Sequence, residues 1–172
     1  MHQSLAPARP QSSGSPATRT ALRSSPPPGQ AAHSPAITTA PTGRGFSAIL
    51  AAFKATGGIA RGDDVARLLE GHGVDDFIGL ARLIAARDVL GFEWRHTLWI
   101  PMFQFDLRDL SIKPAAQRVL KELGTGVDAW ACATWLATPN SRLGHHLPVD
   151  LLDTQLARVL EAARADRFIA VG

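Results

Sequence analysis

The chain has 172 residues, enough for one ordinary globular domain but too few for two. Its one cysteine excludes a disulfide framework and a cysteine-rich zinc site. The formal net charge of +3 is unevenly spread, since residues 1–62 hold six basic residues and no acidic one, so the high isoelectric point does not by itself indicate a nucleic-acid-binding domain.

Residues 1–43 are rich in Pro, Ser, Ala, Gly and Thr and contain no aromatic residue. Such a segment buries too little apolar surface to offset its conformational entropy, so we predict a disordered leader. No apolar run is long enough for a membrane-spanning helix, and the N-terminus lacks the apolar stretch of a secretory signal. We therefore expect a cytoplasmic protein without membrane contact.

Three amphipathic helices are predicted after the leader, between residues 44 and 87. Their apolar side chains recur three and four residues apart, as on the buried face of a helix. The second helix starts at Gly62 or Asp63, and the third runs over residues 75–87. The predicted buried positions are Phe46, Ile49, Leu50 and Phe53 in the first helix, Val65, Leu68 and Leu69 in the second, and Phe77, Leu80, Ala81 and Ile84 in the third. The second and third helices form a plausible helix-turn-helix pair.

The one strand signal follows this pair. Leu90, Phe92 and Trp94 alternate with other residues, a polar turn lies at 95–97, and the apolar run LWIPMFQF returns. A hairpin in this position would be a wing. Because Pro101 has no N–H to donate to a ladder, we expect the returning strand to lie at an edge there or to bulge.

The rest of the chain is predicted to be helical. Pro114 and Pro148 suit first helical turns, and Asp128 suits the N-cap of the apolar helix that follows it. Trp130 and Trp135 lie five positions apart on that helix and cannot share one face closely, so we expect one to be partly exposed. An exposed Trp130 would suit an interface anchor. Cys132, in an apolar run, is interpreted as a small core residue.

The stretch WLATPNSRLGHHLPVDLLDT, residues 135–154, raises the question of catalysis because it holds His145 and His146. No HxxxH or HxxE spacing supports a metal site, and no nucleotide-binding loop or nucleophile elbow occurs. The acidic pairs at 63–64 and 75–76 begin helices, where they stabilise the helix dipole. We therefore predict no enzyme activity, no metal and no cofactor, and interpret this stretch as a rigid corner suited to a protein interface.

This stretch resembles the toxin-binding domain of the Xre/MbcA/ParS antitoxin family. The resemblance is carried by residues 135–136, 139–140, 143–144, Pro148 and 151–152. The segment IPMFQFD, residues 100–106, is similar to one that precedes this domain in some relatives. The resemblance covers residues 44–172. Together with the composition of the leader and the helical patterns, it predicts a mainly α protein: a disordered leader (1–43), a helix-turn-helix bundle with one β-hairpin wing (44–106) and a compact helical toxin-binding domain (107–172).

The resemblance implies an antitoxin that binds and neutralises a RES-type, NAD-degrading toxin and represses its own operon as a homo-oligomer on operator DNA. The toxin-interface candidates are Trp130, Asn140, Arg142, His145, His146, Arg167 and Phe168. The DNA-binding candidates are Arg61, Arg67, Arg82, Arg87 and Arg95. The alternative is a stand-alone DNA-binding regulator or a protein-interaction adaptor without a toxin partner. The candidate recognition helix offers few polar or basic groups for bases and phosphates, which leaves open a helical domain that only dimerises or positions the C-terminal part.

Overall fold

The computed structural model describes residues 41–70 and 76–171, and it leaves out the side chains of residues 76, 77 and 168–171. Almost all of the predicted leader, the predicted turn that follows residue 70 and the side chain of Phe77 lie outside this description. The described residues form seven α-helices and one three-stranded antiparallel sheet. The prediction of a mainly α protein with a hairpin is therefore confirmed.

The described elements before residue 105 are three helices, three short strands and two 3₁₀ turns. Helix α1 is capped by Thr42, whose Oγ1 accepts a hydrogen bond from the N–H of Gly45 at 3.1 Å. The elements are α1 (Gly43–Phe53), a 3₁₀ turn (Lys54–Thr56), β1 (Ile59–Arg61), α2 (Gly62–Glu70), α3 (Asp76–Ala85), β2 (Phe92–Trp94), β3 (Thr97–Pro101) and a second 3₁₀ turn (Met102–Gln104).

The elements after residue 113 are helical, and their starts are those predicted. Pro114 and Pro148 occupy first helical turns, and Asp128 caps its helix by accepting the N–H of Ala131 at 2.7 Å. The elements are α4 (Pro114–Leu123), α5 (Ala129–Leu136), a 3₁₀ turn (Ser141–Leu143), α6 (Pro148–Leu151) and α7 (Leu156–Val171).

The sheet has the strand order β1-β3-β2, so β3 is its central strand. The predicted hairpin is confirmed, and β1 was missed. β2 pairs only with residues 97–99 of β3, so at Pro101 the strand pairs with β1 alone and has the open side that was expected there. Pro101 is tolerated because it pairs with Ile59 at a position where no hydrogen bonds are exchanged, and the next residue, Met102, donates its N–H to the carbonyl of Gly58 at 2.9 Å.

The hairpin turn consists of Arg95 and His96, which both have positive φ, of 50° and 59°. Two left-handed residues in a two-residue loop give the turn type whose twist matches that of the paired strands. Such turns prefer Asn-Gly, so an Arg-His pair is unusual there. The predicted polar turn is confirmed.

The sheet separates two hydrophobic clusters because successive side chains of a strand point to opposite faces. Trp99 and Phe92 face the large cluster, which also takes side chains from α1 and from α4 to α7. Ile100 and Leu98 face the small cluster, which contains the buried side chains of α2 and Leu80 of α3. The large cluster joins side chains from both sides of the predicted boundary at residue 106, and that boundary stays a prediction.

Trp130 of α5 lies in the large cluster against the sheet. Its side chain is 6% exposed, stacks on Trp94 at a centroid distance of 5.5 Å and meets Phe92 edge-on at 5.7 Å. Trp135 is also buried. The two residues lie about 140° apart around the helix, so Trp130 meets the sheet while Trp135 meets α7. The expectation that one of them would be partly exposed is wrong, because α5 is covered on both sides.

Parts of the predicted apolar stripes are also wrong. Leu68 is 50% exposed and Leu50 is exposed as well, whereas Ala66 is buried. Ala81 of α3 is exposed, while Leu80 is buried. A helix that packs on one side buries only a narrow stripe, and periodicity alone does not fix where that stripe ends.

A buried glutamine, Gln104, closes the segment that follows β3. Its Oε1 accepts the N–H of Leu90 at 2.6 Å, and its Nε2 donates to the carbonyls of Leu90 and Pro101, each at 2.8 Å. The side chain therefore satisfies backbone groups of Leu90 and Pro101, which the ladder between β2 and β3 does not pair.

We expect Trp130→Ala to lower the free energy of unfolding by about 3–5 kcal/mol, because it opens a cavity between α5 and the sheet. Leu107→Ala is the matched control: Leu107 is 62% exposed, and the change should stay within about 0.5 kcal/mol. Urea denaturation followed by circular dichroism measures both. A Trp130→Ala variant as stable as this control would contradict the placement of Trp130 in the core.

Candidate functional site

The loop of residues 139–147 connects α5 to α6 and has a backbone fixed by its own hydrogen bonds. Asn140 caps the 3₁₀ turn, since its Oδ1 accepts the N–H of Arg142 at 2.9 Å. Its backbone N–H donates to the carbonyl of His146 at 3.0 Å, and its carbonyl accepts the N–H of His145 at 2.9 Å. Gly144 then takes φ = 66°, the left-handed conformation that glycine adopts without strain. We call this segment the 139–147 loop.

The buried carboxylate of Asp166, on α7, fixes the loop to the helices. Its Oδ2 accepts two hydrogen bonds, from Trp135 Nε1 at 2.9 Å and from Asn140 Nδ2 at 2.7 Å. Its Oδ1 lies 3.5 Å from Arg142 Nε. One carboxylate thus holds α5, the 139–147 loop and α7 together, and a buried carboxylate needs such partners because its desolvation is costly.

Asp166 was missed by the sequence analysis, although a signal for it existed. It follows Val159 and Ala163 on the stripe that α7 buries, at the helical spacing of i, i+4 and i+7. An acidic residue on an otherwise apolar stripe indicates a paired buried charge. The donors that pair with it come from a tryptophan and an asparagine far away in sequence, which spacing alone does not reveal.

The exposed surface of the 139–147 loop carries Arg142, His145 and His146. The side chain of Arg142 is 52% exposed. The sequence between Ala129 and Val149 contains no acidic residue. The loop therefore presents a guanidinium and two imidazoles at the surface, with no acidic residue of its own beside them.

The other toxin-interface candidates are placed differently. Trp130 is buried in the core, so its predicted role as an exposed anchor is wrong. Asn140 is also buried, and its hydrogen bonds go to the loop and to Asp166. Arg167 is half-buried, and its Nη1 donates to the carbonyl of Glu122 at 3.0 Å. The side chain of Phe168 lies outside the described part of the chain.

The DNA-binding candidates fall into two groups. Arg61 lies over the ring of Trp99, at 5.9 Å, and Arg95 over the ring of Trp94, at 5.5 Å. Arg67 pairs with Asp64 at 2.5 Å on α2, and Arg82 is exposed on α3. These four candidates are exposed at the surface.

Arg87 is not exposed like those four residues, and its prediction as a DNA-binding residue at the end of the third helix needs correction. Helix α3 ends at Ala85 rather than at residue 87, and Arg87 has φ = 57° in the turn that follows. Its Nη2 donates to the carbonyl of Val127 at 2.6 Å, and its Nη1 lies 3.8 Å from the sulfur of Cys132. Arg87 thus joins α3 to the segment before α5 instead of facing a partner.

Cys132 is buried, as predicted for a small core residue. Burial raises the pKa of its thiol, against the opposing charge and hydrogen bond of Arg87. A thiol with a raised pKa in the core is a weak nucleophile. Within residues 41–70 and 76–171, no three His, Cys, Asp or Glu side chains form a metal-binding group.

An ion pair outside the loop fixes α4 to α7. Arg164 donates two parallel hydrogen bonds to Glu122, from Nε to Oε1 and from Nη2 to Oε2, each at 3.1 Å. The hydrogen bonds from Arg164 lower the pKa of Glu122, the charges of Arg164 and Arg167 lower it further, and partial burial opposes the shift.

Part of this chain matches a known protein family. Residues 115–163 match the antitoxin Xre/MbcA/ParS C-terminal toxin-binding domain. This range contains α4, α5, the 139–147 loop and α6, and the first half of α7.

The match confirms the resemblance and supports an antitoxin role for the chain. It is narrower than the resemblance across residues 44–172, and it ends three residues before Asp166. Comparisons with curated proteins and with solved structures each give no match. None of the described helices is both long and apolar enough to span a membrane.

We expect Glu122→Gln to lower stability at pH 7 by less than about 1 kcal/mol, because the pair is partly exposed. The pKa of Glu122 is depressed in the folded chain, so the pair stabilises the fold above its ordinary pKa of 4.5 and loses this effect as the pH falls through the folded value. The difference between the wild type and Glu122→Gln should therefore shrink below pH 4.5.

Thermal unfolding from pH 7 to pH 3 measures this difference, with the exposed Glu70→Gln as the control. A difference that grows as the pH falls would contradict the assigned ion pair.

Proposed function

We propose that this chain is a non-enzymatic, cytoplasmic antitoxin that binds and neutralises a RES-type, NAD-degrading toxin. The toxin-binding domain at residues 115–163 supports a toxin as partner, and the resemblance of the sequence supports the RES type. The antitoxin acts by occupying the toxin, which requires a stable complementary surface and no chemistry of its own.

The observation that carries this proposal is the fixed backbone of the 139–147 loop inside the family match. The loop is internally hydrogen-bonded and tied to α7 through Asp166, yet Arg142, His145 and His146 stay exposed on it. A surface that is ordered before binding loses little conformational entropy when a partner docks. Such an arrangement suits tight binding of another protein.

Co-expression tests the proposal. A tagged chain is produced together with a RES-domain protein encoded beside it, and cellular NAD and co-elution are measured. We expect one stable complex and normal NAD, and we expect NAD loss when the RES-domain protein is produced alone. Elution of the chain by itself, with no NAD loss from the RES-domain protein, would refute the toxin partner.

A matched pair of variants tests whether the toxin binds the 139–147 loop. His145→Glu should weaken the complex about tenfold or more, because it places a negative charge on the loop. His96→Glu is the control, since His96 is also an exposed histidine with positive φ but lies on the hairpin. Isothermal titration measures both affinities. Equal effects of the two changes would place the toxin elsewhere.

We infer a second function, repression of the antitoxin's own operon, for residues 44–106. The order of helix, strand, two helices and hairpin supports a helix-turn-helix pair with a wing, since α2 and α3 pack on one face of the sheet and the hairpin follows them. A homo-oligomer would place two such units on two half-sites. Arg61, Arg67, Arg82 and Arg95 are the exposed basic candidates for this contact.

Fluorescence anisotropy with DNA from upstream of the gene tests this second function. Arg82→Gln should weaken binding about tenfold and reduce its salt dependence. Arg118→Gln, an exposed position of α4, is the control and should leave binding unchanged. If the wild type fails to retain the DNA, the adaptor alternative replaces repression.

A further inference from the structure

The guanidinium of Arg142 lies against a buried carboxylate rather than free in solvent. Arg142 Nε is 3.5 Å from Oδ1 of Asp166, whose side chain is only 5% exposed, while the side chain of Arg142 is 52% exposed. An arginine held from one side loses part of its rotamer freedom before any partner arrives. The half of the guanidinium that faces solvent is therefore presented in a restricted orientation.

The two oxygens of Asp166 have different environments. Oδ2 accepts hydrogen bonds from Trp135 and Asn140, whereas Oδ1 is buried and accepts no hydrogen bond from the described residues. Arg142 is the cation nearest to Oδ1, at a distance slightly longer than a strong charge-assisted hydrogen bond. Because a buried charge with an unsatisfied oxygen is costly, Oδ1 favours every arrangement that keeps Arg142 in place.

The backbone beneath Arg142 is also fixed. The N–H of Arg142 is bound by the side-chain oxygen of Asn140, and the same asparagine amide donates to Asp166. The main chain and the side chain of Arg142 are therefore both oriented from the same buried group. Among the described residues, the guanidinium of Arg142 has no ion-pair partner other than Asp166.

We propose that Arg142, oriented by Asp166, is the anchor that receives a carboxylate of the toxin. This inference rests on the proposed function and names the chemistry of its partner surface: an exposed aspartate or glutamate on the RES-type protein. A carboxylate fits because a guanidinium binds it with two parallel hydrogen bonds, and because the loop around Arg142 has no acidic residue to compete. Asp166 is the positioning residue of this contact and does not touch the toxin.

A double-mutant cycle tests the proposal on the full chain with the purified RES-domain protein. Arg142→Gln should weaken the complex about tenfold or more. Asp166→Asn should weaken it about fivefold when Arg142 is present and less than about twofold when Arg142 is already glutamine. The affinity of the wild type should fall with salt, and this dependence should be smaller in Arg142→Gln.

A role for Asp166 in stability alone gives a different result, since its replacement would then weaken binding equally in both backgrounds. Equal losses therefore overturn the positioning role, and an unchanged affinity of Arg142→Gln overturns the anchor. If the wild type binds no RES-domain protein, the proposed function falls together with this inference. If the wild type binds and Arg142→Gln binds with the same affinity, this inference falls and the proposed function stands.

Two further variants keep the test valid if Asp166→Asn fails to fold. Arg142→Lys keeps the charge but loses the planar pair of donors, so it should bind more weakly than the wild type and more tightly than Arg142→Gln. Arg164→Gln removes the ion pair to Glu122 on α4 and leaves Arg142 and Asp166 in place. It should lower the melting temperature without changing the affinity. Full affinity in Arg142→Lys would refute the two-bond contact.

Discussion

The burial of one carboxylate constrains the whole C-terminal part of this chain. The side chain of Asp166 is buried at little cost only while Trp135, Asn140 and Arg142 stay within reach of its two oxygens. These residues come from the end of α5 and from the 139–147 loop, so the loop cannot detach from α7 without leaving a charge or a buried indole N–H unpaired. The fixed shape of the exposed loop is therefore a consequence of a buried interaction. It follows that the shape of the 139–147 loop, which is the surface we propose for the toxin, depends on a residue that lies beyond the family match at 115–163.

The sheet imposes the second constraint, because each of its faces needs a separate apolar covering. One face is covered by α2 and α3, and the other by α1 and α5, with Trp130 stacked on Trp94. Helix α5 is thus packed between the sheet and α7, and Trp130 and Trp135 fill its two sides. The segment that matches the toxin-binding domain consequently shares its hydrophobic core with the hairpin. A stacked tryptophan pair of this kind contributes more to stability than its buried area alone.

Features set by local chemistry could be predicted from the sequence, and features set by distant pairing could not. Pro114, Asp128 and Pro148 act within a single helical turn, so their effects are readable from the residues beside them. Strand β1 has only three residues and exists because β3 pairs with it, a contact about 40 residues away that no local pattern encodes. Pro101 indicated an open side at that residue, and β2 indeed stops pairing with β3 at Trp99. In the site, the exposed positions of Arg142, His145 and His146 followed from the turn residues around them, whereas the burial of Trp130 and the role of Asp166 depended on which helices meet.

The turn after α3 has a role that no basic-residue pattern indicated. Arg87 binds the carbonyl of Val127, and the neighbouring Asp88 pairs with Lys121 at 2.8 Å and accepts a hydrogen bond from Gln117 at 3.0 Å. The end of the candidate recognition helix is therefore fastened to α4 and to the segment before α5, both within the toxin-binding domain. Because these hydrogen bonds and this ion pair join the turn after α3 to that segment, a toxin that shifts α4 or the segment before α5 would also act on the position of the turn. Any operator contact made through Arg82 would then respond to toxin binding through Arg87 and Asp88, and these two residues are where such coupling would be interrupted.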